Sequence, residues 1–171
     1  AEPRILETYR RLGIKQSFFV PGWCIENYPD AVEAILAGGH EIGHHGYLHE
    51  DPIDAPDQRA WFEKALAAHQ KYCGGTPAGY RAPVYNINQQ VVDLLIEHGF
   101  RYDSSMMADD IPYRLKTAAG GLWEMPVHWG TDDWPPFAHY AEIGYMMPVK
   151  APSSGLAAFW EEFDAAYAAG G

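Results

Sequence analysis

The 171-residue chain has little cysteine, and its two cysteines, Cys24 and Cys73, lie far apart. Two are too few for a framework of disulfides, and because they do not form a Cys-x-x-Cys pair, a redox motif is excluded. We therefore expect two reduced thiols in or near the core. No apolar run approaches the ~20 residues that a membrane-spanning helix needs, so we expect no membrane span.

Basic residues are also scarce: 12 Lys and Arg stand against 23 Asp and Glu, a formal net charge of −11. This charge disfavours long-range attraction to nucleic acid or to an anionic membrane surface. No basic segment followed by an apolar stretch opens the sequence, so no export signal is visible. Hydrophobic residues make up 47% and charged residues 20% of the chain, which is typical of a globular protein with a core.

Helical and extended patterns alternate along the chain, which predicts a parallel sheet with helices packed outside it. Either a (β/α) barrel or an open doubly wound sheet fits this alternation. No linker divides the chain, so we expect a single domain over 1–171. The predicted strands are 16–20, 40–44, 78–81, 100–104 and 122–127. The predicted helices are 4–12, 28–37, 56–72 and 88–98, followed by a last helix capped by Ser153 or Ser154.

Polar side chains follow the predicted strands, where parallel α/β folds place their active sites. His45 and His49 follow the second strand at a spacing of four, which lets two imidazoles converge on one ion. Glu50 and Asp51 are placed to orient those imidazoles as hydrogen-bond acceptors. A hydrolytic Zn²⁺ needs about three protein ligands, so a third is expected from another strand end. The alternative is a surface turn with incidental histidines.

Two further segments are candidates for a site. Arg81 lies at the end of the third predicted strand and, if buried, needs an anionic partner, which Asp103 near the end of the fourth offers. The segment 123–137 combines indole rings, carboxylates and prolines, a composition suited to walls and polar anchors for a sugar or small ligand. The alternatives are an ordinary surface arginine and a proline-braced loop. His128 alone is more typical of a structural histidine than of a metal ligand.

The order and spacing of these motifs resemble the polysaccharide deacetylase family, also called the NodB-homology or carbohydrate esterase 4 group. Its metal motif His-x-x-x-His is matched at His45–His49, its Arg-x-Pro motif at Arg81–Pro83, and its Tyr-Asp-Ser-Ser motif at Tyr102–Ser105. The strand 17–20 resembles the family's Thr-Phe-Phe strand. The resemblance covers about 6–149, and it is closest to the subgroup of peptidoglycan deacetylase-like, cyclic imidase-like and allantoinase-like proteins.

The resemblance implies an irregular (β/α) barrel of about seven strands and metal-assisted hydrolysis of a non-peptide amide. It implies that His45 and His49 bind Zn²⁺ or a similar divalent ion. Arg81 would hold a catalytic aspartate, with Asp103 paired to Arg81. The expected substrate-binding residues are Pro83, Tyr85, His128, Trp129, Asp132, Asp133 and Trp134.

Two family motifs have no match in the sequence. These are the Asp-Asp pair that supplies the catalytic base and the third metal ligand, and the Leu-x-x-His that supplies the general acid. We therefore expect an incomplete barrel whose first and last strands lie outside this sequence. The expected activity is N-deacetylation of an amino sugar or peptidoglycan-type carbohydrate; the alternatives are hydrolysis of a cyclic imide or allantoin-like ureide, and a non-catalytic binding relative. The subgroup suggests a cytoplasmic location, and a homo-oligomer is possible.

Overall fold

The computed structural model describes residues 2–138 and 149–170. The six strands in this part of the chain are β1 Ser17–Val20, β2 Glu41–His44, β3 Gly79–Tyr80, β4 Tyr102–Asp103, β5 Tyr113–Thr117 and β6 Gly120–Glu124. The helices are α1 Glu2–Leu12, α2 Gly22–Asn27, α3 Pro29–Ala37, α4 Gln58–Tyr72, α5 Gln89–Glu97, α6 Trp134–Phe137 and α7 Pro152–Ala169. Two 3₁₀ turns lie at Pro83–Tyr85 and Trp129–Thr131.

The strands form one sheet in the order β1-β2-β3-β4-β6-β5. All neighbouring strands are parallel except β5 and β6, which form an antiparallel hairpin at one edge. The helices α3, α4 and α5 pack against the sheet, and the buried clusters they form include sheet residues of one face only. A doubly wound sheet would carry helices on both faces. The described part is therefore an open (β/α) sheet of the barrel type.

The helix-covered face of the sheet holds the core. Ile42 of β2, Tyr80 of β3 and Leu122 of β6 are each 5% exposed or less. Because successive strand residues point to opposite faces, this burial fixes which residues face the other way. The core has two clusters, one around α3 and one around α4 and α5. Their buried helical members are Ile25, Val32, Ile35, Phe62, Leu66, Ala68, Val91, Val92, Leu94 and Leu95.

The opposite face, which we call the open face, pairs glycines with aromatic rings across neighbouring strands. Phe19 of β1 is level with Gly43 of β2, and Tyr102 of β4 is level with Gly79 of β3. A Cβ at Gly43 would lie 2.6 Å from Phe19 Cδ1, and a Cβ at Gly79 would overlap the Tyr102 ring. The absence of a side chain at these positions therefore lets both rings lie across the sheet, 6.4 Å apart and edge to face.

The helices expected at 56–72 and 88–98 are confirmed as α4 and α5, whereas the cap expected for the last helix is wrong. Asp57 and Asn88 cap α4 and α5 by accepting from Ala60 N–H at 3.0 Å and Val91 N–H at 3.1 Å. The last helix instead begins from Ala151, with no side-chain cap, and includes both serines in its first turn. The helix α2 and the strand β5 were not predicted. Cys24 and Cys73 are free and partly buried.

None of the helices in the described ranges is long and apolar enough to cross a membrane.

Candidate functional site

The carboxyl ends of the parallel strands bring the predicted site residues to one edge of the sheet. The backbone pairing continues past the strand ends: Arg81 N–H donates to His44 O at 3.0 Å, and Ser104 N–H donates to Tyr80 O at 2.9 Å. His45 directly follows β2. The backbone at this edge is thus hydrogen-bonded from strand to strand, and the polar side chains project from it.

The imidazoles of His45 and His49 lie side by side, with ring centroids 4.9 Å apart and planes at 69°. His45 Nδ1 is 2.7 Å from the Arg81 backbone oxygen. Because a carbonyl can only accept, Nδ1 carries the proton and the Nε2 lone pair is left for another partner. Burial, helped by the charges of His49 and Arg81, lowers the pKa of His45 to about 4, so the ring is neutral at neutral pH, as metal binding requires.

The neighbouring His44 is a core residue. It is 0% exposed, its Nε2–H donates to the Phe62 backbone oxygen at 3.0 Å, and its ring stacks on Phe62 and on His69. Burial, with the nearby His69 as the next cause, lowers the pKa of His44 to about 3. Of the three histidines that follow one another at the end of β2, only His45 and His49 therefore come together outside the core.

The loop that carries both imidazoles is fixed by Glu50. Its carboxylate accepts the backbone N–H of Tyr47 at 2.9 Å and of Leu48 at 2.5 Å. Asp51 accepts from Ile53 N–H at 3.0 Å and from Asn86 Nδ2 at 2.5 Å. We expected Glu50 and Asp51 to orient the imidazoles directly. They instead satisfy backbone donors of a tight loop, and Arg81 O orients His45.

The two imidazoles fit two positions of a divalent metal site. Two adjacent imidazoles, one of them neutral with its Nδ1–H engaged by a carbonyl, are the arrangement that zinc-ligating histidines adopt. Within residues 2–138 and 149–170, no group of three or more His, Cys, Asp or Glu side chains is placed to hold a metal ion. A further donor is therefore needed to complete the two-histidine set found in this part of the chain.

The expected ion pair between Arg81 and Asp103 is not formed. Arg81 Nε donates to Ser104 O at 2.8 Å and its Nη2 donates to Ser104 Oγ at 2.6 Å, while its guanidinium lies 4.6 Å from the centre of the Phe19 ring. Asp103 is level with Tyr80 in the sheet. Arg81 follows Tyr80, so the pleat directs Arg81 to the open face and Asp103 to the helix-covered face.

Asp103 forms a buried carboxyl pair with Glu124. Both are 0% exposed. Asp103 accepts from Ser105 Oγ at 2.7 Å, and Glu124 accepts from the backbone N–H of Ser105 and Met106 at 3.1 and 2.9 Å. Burial and the adjacent Glu124 raise the pKa of Asp103 well above its usual value. The pair anchors the segment after β4, since Ser105 Oγ also accepts from Ala82 N–H at 2.8 Å.

An aromatic loop lies beside the turn that follows Arg81. Tyr85 Oη donates to Asp132 Oδ2 at 3.0 Å, and the Tyr85 and Trp129 rings are edge to face with centroids 6.1 Å apart. Asp132 Oδ1 also accepts from Trp134 N–H at 2.8 Å. The indoles of Trp129 and Trp134 are 56% and 55% exposed. These four predicted residues are therefore connected, and two of them present large apolar surfaces to solvent.

The other predicted wall residues take different positions. Pro83 is less than 2% exposed and packs on the histidine loop, where a Cβ at Gly46 would lie 3.2 Å from its Cγ. It therefore supports that loop and presents no surface to a ligand. Asp133 is exposed. His128 is exposed, and its Nε2 lies 3.5 Å from Glu162 Oε2 of α7.

Backbone strain is concentrated at this edge of the sheet. Among the described residues, the non-glycine residues with positive φ are His49 at 62°, Val84 at 51° and Tyr85 at 60°. A β-branched residue rarely adopts this conformation, and each such residue costs about 1–3 kcal/mol unless its surroundings hold it in place. Sequence reasoning missed this feature, because nothing in Pro-Val-Tyr-Asn signals left-handed backbone.

Comparison with known proteins places the chain in one family. Residues 1–102 match the family model described as polysaccharide deacetylase. The chain belongs to the polysaccharide deacetylase family. It is 30% identical over 162 residues to the peptidoglycan deacetylase of Helicobacter pylori, covering 78% of this chain and 55% of that protein. It is 37% identical over 111 residues to peptidoglycan deacetylase-like protein FGM2 of Gibberella zeae, covering 63% and 33%.

Solved structures share the fold. A Mycobacterium smegmatis structure assigned to the polysaccharide deacetylases superposes with a TM-score of 0.92 at 35% identity, covering 99% of this chain and 60% of that one. Puue allantoinase superposes with a TM-score of 0.82 at 24% identity, covering 98% and 54%. The chain thus spans about half the length of the Helicobacter pylori relative and of these two solved structures. The barrel expected from the resemblance is confirmed as the fold class, present here as an open sheet.

Proposed function

We propose that this chain forms the metal-binding part of a deacetylase that removes N-acetyl groups from an amino-sugar polymer of the peptidoglycan type. The observation that supports this most is the pair of adjacent imidazoles at the carboxyl edge of the sheet, with His45 Nδ1 held by the Arg81 carbonyl at 2.7 Å. The similarity to relatives named peptidoglycan deacetylase agrees with it.

His45 and His49 would hold a divalent ion, most suitably Zn²⁺, with a third ligand expected from the family's Asp-Asp motif. When bound, such an ion polarises an amide carbonyl and lowers the pKa of its bound water. The residues of this chain do the positioning. The Arg81 carbonyl fixes the tautomer and plane of the His45 ring, and Glu50 fixes the loop backbone that carries His49.

Arg81 would orient a carboxylate in the same site. Within the described residues its guanidinium donates to the neutral Ser104 groups only and forms no ion pair with an acidic side chain. An arginine at a partly buried edge presents a fixed fork of donors suited to a carboxylate. We propose that Arg81 orients the catalytic aspartate that the family resemblance implies. Asp103 does not take this place, because its carboxyl faces the opposite side of the sheet.

The exposed indoles favour a polymer over a small ring. Trp129 and Trp134 are more than half exposed, whereas a pocket for a small cyclic amide would enclose most of its ligand between buried walls. Flat apolar surfaces open to solvent can pack against the C–H faces of successive sugar rings. We therefore assign an amino-sugar chain as the substrate.

The test is acetate release from an N-acetylglucosamine pentamer and from purified peptidoglycan by the full-length protein, with allantoin and a cyclic imide as alternative substrates. We expect release from the carbohydrates, loss of at least about 100-fold in His45→Ala and His49→Ala, and little change in His98→Gln, which alters a histidine in another part of the fold. Hydrolysis of only the cyclic amides, or full activity in both histidine variants, would contradict the proposal.

A further inference from the structure

The turn after Arg81 is held from two sides. Asn86 Nδ2 donates to Asp51 Oδ2 of the histidine loop at 2.5 Å. One residue earlier, Tyr85 Oη donates to Asp132 Oδ2 of the aromatic loop at 3.0 Å. These bonds span 35 and 47 positions of sequence. The turn is thus the direct link between the loop that carries the imidazoles and the loop that carries Trp129.

The backbone of this turn is kept in an unfavourable conformation. Val84 and Tyr85 both have left-handed φ values, and Val84, although apolar, is 60% exposed. The Val84 side chain therefore gains little by burial, so packing of that residue does not explain the strain. This conformation directs the Tyr85 side chain so that its hydroxyl reaches Asp132 and its ring meets Trp129 edge to face at 75°. Backbone strain that places a side chain in this way is typical of ligand-binding turns.

We propose that Tyr85 is a positioning residue that holds Trp129 as a stacking surface for a sugar unit next to the one that is deacetylated. The inference rests on the proposed function for the identity of its ligand. The Tyr85–Asp132 bond fixes the loop, and the edge-to-face contact with Tyr85 supports the indole of Trp129, which is 56% exposed and can pack against a pyranose ring. An oligomer of two or more units gains this contact, and the monosaccharide does not reach it.

The test uses Tyr85→Phe, which removes only the hydroxyl, and compares the Kd for an N-acetylglucosamine pentamer and for the monosaccharide by titration calorimetry of the full-length protein. We expect Tyr85→Phe to weaken pentamer binding about fivefold, the effect of one hydrogen bond, with monosaccharide binding changed less than twofold. Tyr167→Phe removes a hydroxyl from a tyrosine that is 75% exposed on α7 and should change neither. Equal weakening of pentamer and monosaccharide binding, or no change in either, would overturn the inference.

A second series separates positioning from general stability. Asp132→Asn keeps an acceptor for the Tyr85 hydroxyl, whereas Asp132→Ala does not. We expect Asp132→Asn to keep most of the pentamer preference, Asp132→Ala to lose it, and Tyr85→Phe to add nothing to Asp132→Ala. Additive losses would overturn the inference. Acetate release without any effect of Tyr85→Phe would refute this inference alone, and Tyr85-dependent pentamer binding without acetate release would refute the proposed function alone.

Discussion

Gly79 lies beneath the Tyr102 ring, and replacing it with alanine tests the packing of the open face. The new Cβ would overlap Tyr102 Cζ and Oη, where ordinary contact begins at 3.4 Å. The ring must therefore leave its position, which disrupts its hydrogen bond to Glu41 at 2.9 Å and its edge-to-face contact with Phe19. Overpacking costs about 1–3 kcal/mol and the lost hydrogen bond about 1 kcal/mol, so we expect a loss of about 2–4 kcal/mol.

The assay is thermal and urea unfolding followed by circular dichroism. For a chain of this length, the loss should lower Tm by about 5–15 °C. Gly75→Ala is the matched control, because a Cβ there meets nothing within 4 Å; it should be neutral or stabilising by about 0.4–1 kcal/mol. In a Tyr102→Ala background, Gly79→Ala should cost almost nothing. If Gly79→Ala behaves like Gly75→Ala, or costs as much without Tyr102, the steric reasoning is refuted.

Two further predictions concern stability. His69 is 0% exposed, and burial lowers its pKa to about 4. Because the unfolded chain takes up this proton near pH 6.5, the contribution of neutral His69 to the free energy of unfolding is complete above that pH. This contribution is lost at up to about 1.36 kcal/mol per pH unit as the pH falls toward 4. Urea titrations should show that His69→Gln reduces this slope, and an unchanged slope would contradict the assignment. Val84→Asn should raise Tm by about 2–4 °C, because asparagine adopts left-handed backbone more readily; scanning calorimetry showing a lower Tm would argue against strain at this turn.

The parallel strands could be predicted from sequence because short extended segments alternate with helical patterns, and each is followed by proline or a polar cluster. The hairpin was missed at β5, although Tyr113, Leu115 and Thr117 alternate with exposed residues and a period of two was there to be found. The helix α2 has only six residues, too few for a helical period to appear. Short elements of this kind are defined by tertiary contacts, here those of α2 with α4.

The histidine pair could be predicted because a spacing of four residues brings two side chains together in a compact loop as well as in a helix. The partner of Arg81 could not be predicted in this way. Whether it meets Asp103 or Ser104 depends on the register of β3 and β4, which places Tyr80 level with Asp103, and a shift of one residue would move each side chain to the other face. The Tyr85–Asp132 bond could not be predicted either, because it depends on a strained turn that no residue type in the sequence indicates.

Metal binding by the two adjacent imidazoles is the central claim, and equilibrium dialysis of the full-length protein against Zn²⁺ tests it most directly. We predict one Zn²⁺ per chain, with affinity reduced at least about tenfold by His45→Ala or His49→Ala and unchanged by His98→Gln. Absence of stoichiometric binding by the wild-type protein, or binding that both alanine variants retain in full, would contradict the account.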